Sequence, residues 1–226
     1  MKATEHEHFK HVYWINLDDG TRKLATVNLT PGIQVYGEKL VRIEEKEYRL
    51  WDPYRSKLAA AIFKNIKKIP VGPGKRVLYL GAASGTTSSH VSDIIGPNGC
   101  VYCVEVSSRP LRDLLLVCKR RLNMVPILAN ARQPCNYCML VGDTDVIYQD
   151  IAQPDQTDIL LKNVKVFLQE GGYTVLALKA RSIDVTKEPR EIFRNEVEKL
   201  EKEMEVIDAK ILDPYEKDHA MLVLKK

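Results

Sequence analysis

Residues 76–90 read RVLYLGAASGTTSSH. The apolar run Val77–Leu80 stops at Gly81, Gly85 follows, and a threonine- and serine-rich stretch comes next. An apolar run of this length closed by glycine reads as a buried strand, and the segment after Gly85 reads as the start of a helix. Small residues at the carboxyl end of a strand let a ligand approach the backbone closely. In open α/β sheets that is where ligands bind. The stretch therefore predicts a fold class and also poses a question, namely what the loop holds.

Downstream, strands and helices keep alternating. Strand 77–80 leads to a helix over 87–95, then strand 101–106, helix 110–122 and strand 126–129. Strand 146–149, helix 156–168, strand 173–180 and helix 189–203 follow, and the chain closes with strands 206–212 and 219–224. Repeated β-α-β units with apolar strands imply a parallel sheet covered by helices on both faces. The last two strands are joined only by DPYEKD, too short for a parallel crossover, so they are expected to form an antiparallel hairpin at one edge. Upstream, Tyr54–Lys68 carries Leu58, Ile62 and Ile66 at helical spacing, continued by Ile69 just before Pro70, predicting a helix over Tyr54–Lys68.

The first fifty residues differ. HVYWINL, LATVNL, QVYGEKLVRI and EYRLW are short β-rich runs separated by turn signals at Asp18-Asp19-Gly20, Pro31-Gly32 and Tyr36-Gly37, which predicts a small antiparallel sheet. The expected division is a β-rich N-terminal domain over 1–52 and an α/β domain over 53–226. His6, His8 and His11 precede the first run and are expected in a solvated tail.

The 45% hydrophobic and 28% charged content is that of an ordinary globular protein, and the net charge of +4 permits an RNA partner without demanding one. No apolar run approaches the ~18 residues needed to span a bilayer, and the opening MKATEHEHFKH does not have the pattern of a signal peptide. A cytoplasmic protein with no membrane partner is the expectation. Cys100/Cys103 and Cys135/Cys138 have the C-x-x-C spacing of zinc sites. CVYCVEV nevertheless reads as a strand, on which positions three apart face opposite ways, so no metal is expected.

Several ligands compete for the glycine loop. A nucleoside triphosphate would want G-x-x-x-x-G-K-[ST], and no lysine follows Gly85; a dinucleotide would want G-x-G-x-x-G, and the spacing here is G-x-x-x-G. A nucleoside without a phosphate chain, such as S-adenosylmethionine, remains, beside a purely structural turn. Glu105 favours the nucleoside: it ends the next strand, twenty residues after Gly85, where a carboxylate can accept from both ribose hydroxyls. Asn130 ends the third strand and can reach an adenine edge. Asp150 ends the fourth, before the irregular Ile151-Ala152-Gln153-Pro154.

GAASGTT, DIAQPDQTD, KARSIDVTK and LDPYEKDHA, in that order, resemble archaeal members of the fibrillarin family, the methyltransferases of box C/D guide-RNA particles. The resemblance covers nearly the whole chain. It implies a Rossmann-like class I S-adenosylmethionine-dependent methyltransferase fold with a small N-terminal antiparallel β-sheet, transferring methyl groups to ribose 2′-oxygens of rRNA and tRNA. The family's cofactor contacts map onto the loop Gly81, Ala82, Ala83, Gly85, with Thr86 and Thr87, then Glu105 and Val106, Asn130 and Ala131, and Asp150, Ile151, Ala152 and Gln153. Its catalytic set maps onto Lys57, Asp150, Lys179 and His219. Two positions depart from the family pattern, which commonly has Phe at Val106 and Asp at Asn130.

In that reading Lys179 activates the ribose hydroxyl, as neutral base or as cation. Asp150 orients it, Lys57 holds the target, and His219 completes the hydrogen-bond network. Arg55, Lys57 and Arg181 are candidate RNA contacts, with Lys187 and Arg190 beside them. Implied partners are a guide RNA, the target RNA, a Nop-family scaffold protein and a kink-turn-binding ribosomal-type protein. A methyltransferase acting alone on RNA or protein, and a non-catalytic assembly protein keeping the fold, are the rival readings.

Overall fold

The computed structural model describes every residue from Met1 to Lys226. The N-terminal segment forms strands β1 (Lys2–Glu5), β2 (Val12–Asn16), β3 (Arg22–Val27), β4 (Leu40–Ile43) and β5 (Lys46–Trp51). They make one antiparallel sheet of order β1-β2-β3-β5-β4. The leading segment is not the solvated tail its polar sequence suggests. Residues 2–5 pair with β2 as an edge strand, which needs only backbone hydrogen bonds and so leaves no apolar signature. The His6 ring stacks on Phe9 at 4.5 Å, and His11 Nδ1 lies 2.9 Å from the Ile94 carbonyl.

Helix α1 (Lys57–Phe63) is shorter than the apolar spacing predicts. Asn65 takes the left-handed conformation (φ 56°), and the N–H groups of Asn65 and Ile66 return to the Ile62 and Ala61 carbonyls. That double return closes the helix, and Ile66 and Ile69 reach the core from the turn beyond it.

The remainder follows as β6 (Arg76–Leu80), α2 (Thr86–Ile95), β7 (Cys100–Glu105), α3 (Ser108–Cys118), β8 (Met124–Leu128), β9 (Thr144–Gln149) and α4 (Gln156–Phe167). Then come β10 (Leu168–Lys179), α5 (Ala180–Ile183), α6 (Pro189–Leu200), β11 (Glu205–Ile211) and β12 (His219–Lys225). The seven strands from β6 onward form one sheet of order β11-β12-β10-β9-β6-β7-β8. Strands β6 to β10 are parallel, and the β11–β12 hairpin adds antiparallel at the β10 side, as expected.

Period-two alternation divides each strand between two cores. Val77, Tyr79, Val101, Cys103, Val146 and Tyr148 face α1, α2, α3 and residues Val12, Leu24 and Trp51 of the N-terminal sheet. Leu78, Leu80, Val104, Ile147, Leu176 and Leu178 face α4 and α6. All five cysteines are free, and no group of three or more His, Cys, Asp or Glu side chains is placed to hold a metal. No helix is long and apolar enough to cross a membrane.

Candidate active site

The chain runs from β6 outward to β7 and β8, then returns to the other side of β6 as β9. Strand order reverses there, so the loops after β6 and β9 part and leave a crevice at the carboxyl ends of the strands. The crevice, of about 390 Å³, is lined by Gly81, Ala83, Val104, Glu105, Val106, Ala129, Asn130, Ala131, Arg132, Ile159 and the run Asp150 to Gln153. That volume suits a nucleoside-sized ligand.

Gly81 permits the close approach of the two loops before they part. Its φ is +83°, and a Cβ there would lie 2.3 Å from the Asp150 carbonyl oxygen. Glu105, only 8% exposed, accepts from the Ala83 N–H at 2.9 Å through one oxygen and from the Ser107 N–H at 2.8 Å through the other. Each oxygen keeps a further lone pair for a ligand hydroxyl. The Asn130 side-chain oxygen accepts from the Arg132 N–H at 3.0 Å. Val106 is 65% exposed on the crevice wall.

Four of the expected cofactor residues do not line this crevice. Ala82 and Gly85 are the buried residues of the loop. Thr86 lines a neighbouring hollow with Ser84, Tyr36 and Arg55. Thr87 is buried and donates its hydroxyl hydrogen to Ser56 Oγ at 3.0 Å.

At the β9 side, Lys57 Nζ and Asp150 Oδ2 form an ion pair at 3.0 Å, the side chains 19% and 25% exposed. Lys57 is placed by the first turn of α1, whose N-cap is Ser56. Lys179 ends β10 directly opposite His219 on β12, so both side chains project from the same face. His219 Nδ1 lies 2.7 Å from the Lys217 carbonyl and donates to it, which leaves Nε2 open. Burial, with the Lys57 ammonium acting the same way, lowers the His219 pKa below its ordinary 6.5 against the opposing pull of the Lys217 carbonyl, Glu216 and Asp150. The imidazole is therefore neutral at physiological pH. Lys57, Asp150, Lys179 and His219 thus come from α1 and the ends of β9, β10 and β12.

The basic residues at the rim differ in availability. Arg55 is exposed, its guanidinium 4.7 Å from the Tyr36 ring centroid. Arg181 spends its guanidinium on Asp218 at 3.3 Å and on the Val185 carbonyl at 2.8 Å. Lys187 faces Glu191 at 3.7 Å. Sequence reasoning missed Arg132, which lines the crevice and holds Asp155 and the Gln153 side chain. It also missed Ser56 and Gln156. An N-cap serine directly before Lys57 was a readable signal for Ser56; nothing local marked the other two.

The sequence profile of the Fibrillarin family matches residues 3–226. The chain belongs to the fibrillarin family. A relative from Methanopyrus kandleri, named fibrillarin-like rRNA/tRNA 2′-O-methyltransferase, is 54% identical over 224 residues, which is 99% of this chain and 97% of the relative. The crystal structure of Aeropyrum pernix fibrillarin with natively bound S-adenosyl-L-methionine is 48% identical, with a TM-score of 0.93 over 99% of this chain and 98% of that one. The fibrillarin chain in a fibrillarin/Nop5p complex is 41% identical, with a TM-score of 0.87 over 98% of this chain and 99% of its own. The fold of this fibrillarin-family chain is accordingly the class I methyltransferase fold with an N-terminal antiparallel sheet.

Proposed function

We propose that this chain is the S-adenosylmethionine-dependent ribose 2′-O-methyltransferase of box C/D guide-RNA particles, modifying rRNA and tRNA. The observation that carries the reading is the Lys57–Asp150 pair at the edge of a crevice whose far wall presents Glu105 and Asn130. The Methanopyrus relative's name supports the activity and substrate, the Aeropyrum complex the cofactor, and the Nop5p complex a Nop-family scaffold.

The residues present fit the cofactor. Glu105 offers free lone pairs on oxygens already fixed by two backbone N–H groups, which suits ribose hydroxyls. Asn130 and Val106 flank the space for adenine, and Gly81 with Asp150 to Gln153 forms the wall toward the reacting end. Bound there, S-adenosylmethionine supplies an electrophilic methyl group on a sulfonium.

The protein's own task is to bring a ribose 2′-hydroxyl into line and manage its proton. Alignment supplies up to ~7–11 kcal/mol in favourable cases. Asp150, anchored by Lys57, orients the hydroxyl and Lys179. Lys179 activates the hydroxyl, while His219, neutral through burial, offers Nε2 to the same hydrogen-bond network. Arg55, held over the Tyr36 ring by a 3.0 Å hydrogen bond to the Tyr36 carbonyl, keeps an exposed guanidinium edge for RNA. Guide base pairing then supplies target choice, with the scaffold and a kink-turn-binding ribosomal-type protein completing the particle.

The test uses labelled cofactor, the partner proteins, a guide RNA, and matched target RNAs with a ribose or a 2′-deoxyribose at the guided position. Label is expected on the ribose target only. Equal label on both would move the reaction to a base or to protein, and no label on either would leave an assembly protein. In the same assay Lys179→Ala and Asp150→Ala are expected to abolish transfer while the circular dichroism spectrum stays native.

A further inference from the structure

Strand β9 stops at Gln149, which stands opposite Leu176 on β10. Strand β10 runs on to Lys179 with β12 on one flank and no strand on the other. The main chain of Lys179 nevertheless has partners on the open flank, because the side chain of Gln156 fills the place of the missing strand. Its Oε1 accepts from the Lys179 N–H at 3.0 Å, and its Nε2 donates to the Lys179 carbonyl at 3.1 Å. A carboxamide carries the donor and acceptor of a peptide group, so it extends the ladder by one unit.

The same Nε2 donates to the Gln153 carbonyl at 3.0 Å, and Gln153 lines the crevice. The Gln156 carbonyl in turn accepts from Gln149 Nε2 at 2.6 Å, one residue before Asp150. Both glutamines are 0% exposed. The side chain of Gln149 next to Asp150, the crevice wall at Gln153 and the backbone of Lys179 therefore meet at one buried residue.

We infer that Gln156 is a positioning residue that sets Lys179 against the crevice. It sits at the first turn of α4, out of contact with any reacting atom, and acts through the Lys179 backbone. The inference rests on the reading of Lys179 as the group that activates the ribose hydroxyl. A misplacement of about 1 Å in such a group costs on the order of 100-fold in rate. An apolar side chain at 156 would free the end of β10 to shift by such amounts, while at the crevice it would remove only the one hydrogen bond to the Gln153 carbonyl.

The experiment measures single-turnover methyl transfer in the reconstituted particle at saturating cofactor and matched target. Cofactor affinity by calorimetry and melting temperature are measured on the same proteins. Gln156→Met keeps the length and removes both hydrogen-bonding atoms. It is expected to lower the rate roughly 10- to 100-fold while cofactor affinity changes no more than about threefold. Gln156→Glu keeps the acceptor for the Lys179 N–H, but its other oxygen faces the Lys179 and Gln153 carbonyls and can donate to them only when the carboxyl is protonated. Relative to the native protein at the same pH, it is expected to fall between Gln156→Met and native at low pH and to lose rate as pH rises. It also carries the test if Gln156→Met does not fold.

A native rate in Gln156→Met beside an inactive Lys179→Ala overturns the inference and leaves the reading of Lys179 intact. An active Lys179→Ala removes that reading and the inference with it. Losses of affinity and melting temperature in proportion to the rate would assign Gln156 a merely structural role.

Discussion

Val106 and Asn130 are the positions where the family resemblance leads us to expect Phe and Asp instead, and both line the wall where adenine is proposed to lie. Val106 presents a small apolar side chain, 65% exposed, toward that space. An aromatic ring against a base is worth about 0.5–1.5 kcal/mol beyond its area. Val106→Phe is therefore expected to tighten S-adenosylmethionine binding about two- to tenfold. Asn130→Asp adds an acceptor in place of an amide donor and is expected to tighten it further. Calorimetry showing unchanged affinity in both would remove adenine from this wall. At this scale Glu105, Asn130 and Asp150 were legible because a polar residue ending an apolar strand stands out. Arg132 and Gln156 were not, since their partners are Asp155, Gln153 and the Lys179 backbone, which only the fold brings near.

The elements that frame the site depend on a few backbone conformations. At Gly81 the φ of +83° and a Cβ position 2.3 Å from the Asp150 carbonyl oxygen leave no room for a side chain. Gly85 also has positive φ, +96°, but a Cβ there would first meet Leu114 Cδ1 at 3.2 Å, the end of a flexible side chain. Gly81→Ala is thus expected to destabilise by about 2–5 kcal/mol, combining the left-handed cost with backbone overpacking. Gly85→Ala should cost less, near the left-handed cost alone of about 1–2 kcal/mol. Urea unfolding of the two variants checks the order, and equal losses would refute the steric account. Helix α1 shows the limit of periodicity. Its apolar spacing continued past Asn65, but a left-handed Asn ended the helix, and a closing motif of that kind competes with periodicity wherever Asn or Gly is present.

Across the whole molecule, the two sheets are joined through α2, a helix whose sequence TTSSHVSDII reads as polar although Thr87–Ile95 are all buried. Its polar face meets the N-terminal sheet in a network of hydrogen bonds and ion pairs. Arg49 pairs with Asp93 at 2.7 Å and with Glu38, Arg121 pairs with Asp93, and Thr26 binds both Asp93 and His90 at 2.8 Å. His90, stacked on Trp51 at 4.6 Å, bonds Tyr36 through Nε2 at 2.7 Å. Burial above all, and then Arg49 and Arg121, hold the His90 pKa well below its ordinary 6.5. The unfolded chain takes up that proton below 6.5 and the folded chain does not. This contribution to stability is full above the free value and is lost as pH falls below it, by up to about 1.4 kcal/mol per pH unit. His219, lowered by burial in the same direction, adds to the slope. His90→Gln is expected to flatten the decline in unfolding free energy between pH 7 and 5, and an unchanged slope would place the titration elsewhere.

The sequence by itself determined the α/β class, the strand that carries the glycine loop, the closing hairpin and the acids at the strand ends. Those features are local: periodicity, turn residues and connection length suffice to specify them. Tertiary structure decided the rest. Strand order set β9 beside β6 and opened the crevice, and the N-terminal sheet made a polar helix into a buried one. The end of β9 left Lys179 to be held by Gln156. Each of these depends on which polar groups lose water together, and that is settled by contacts between residues far apart in the chain.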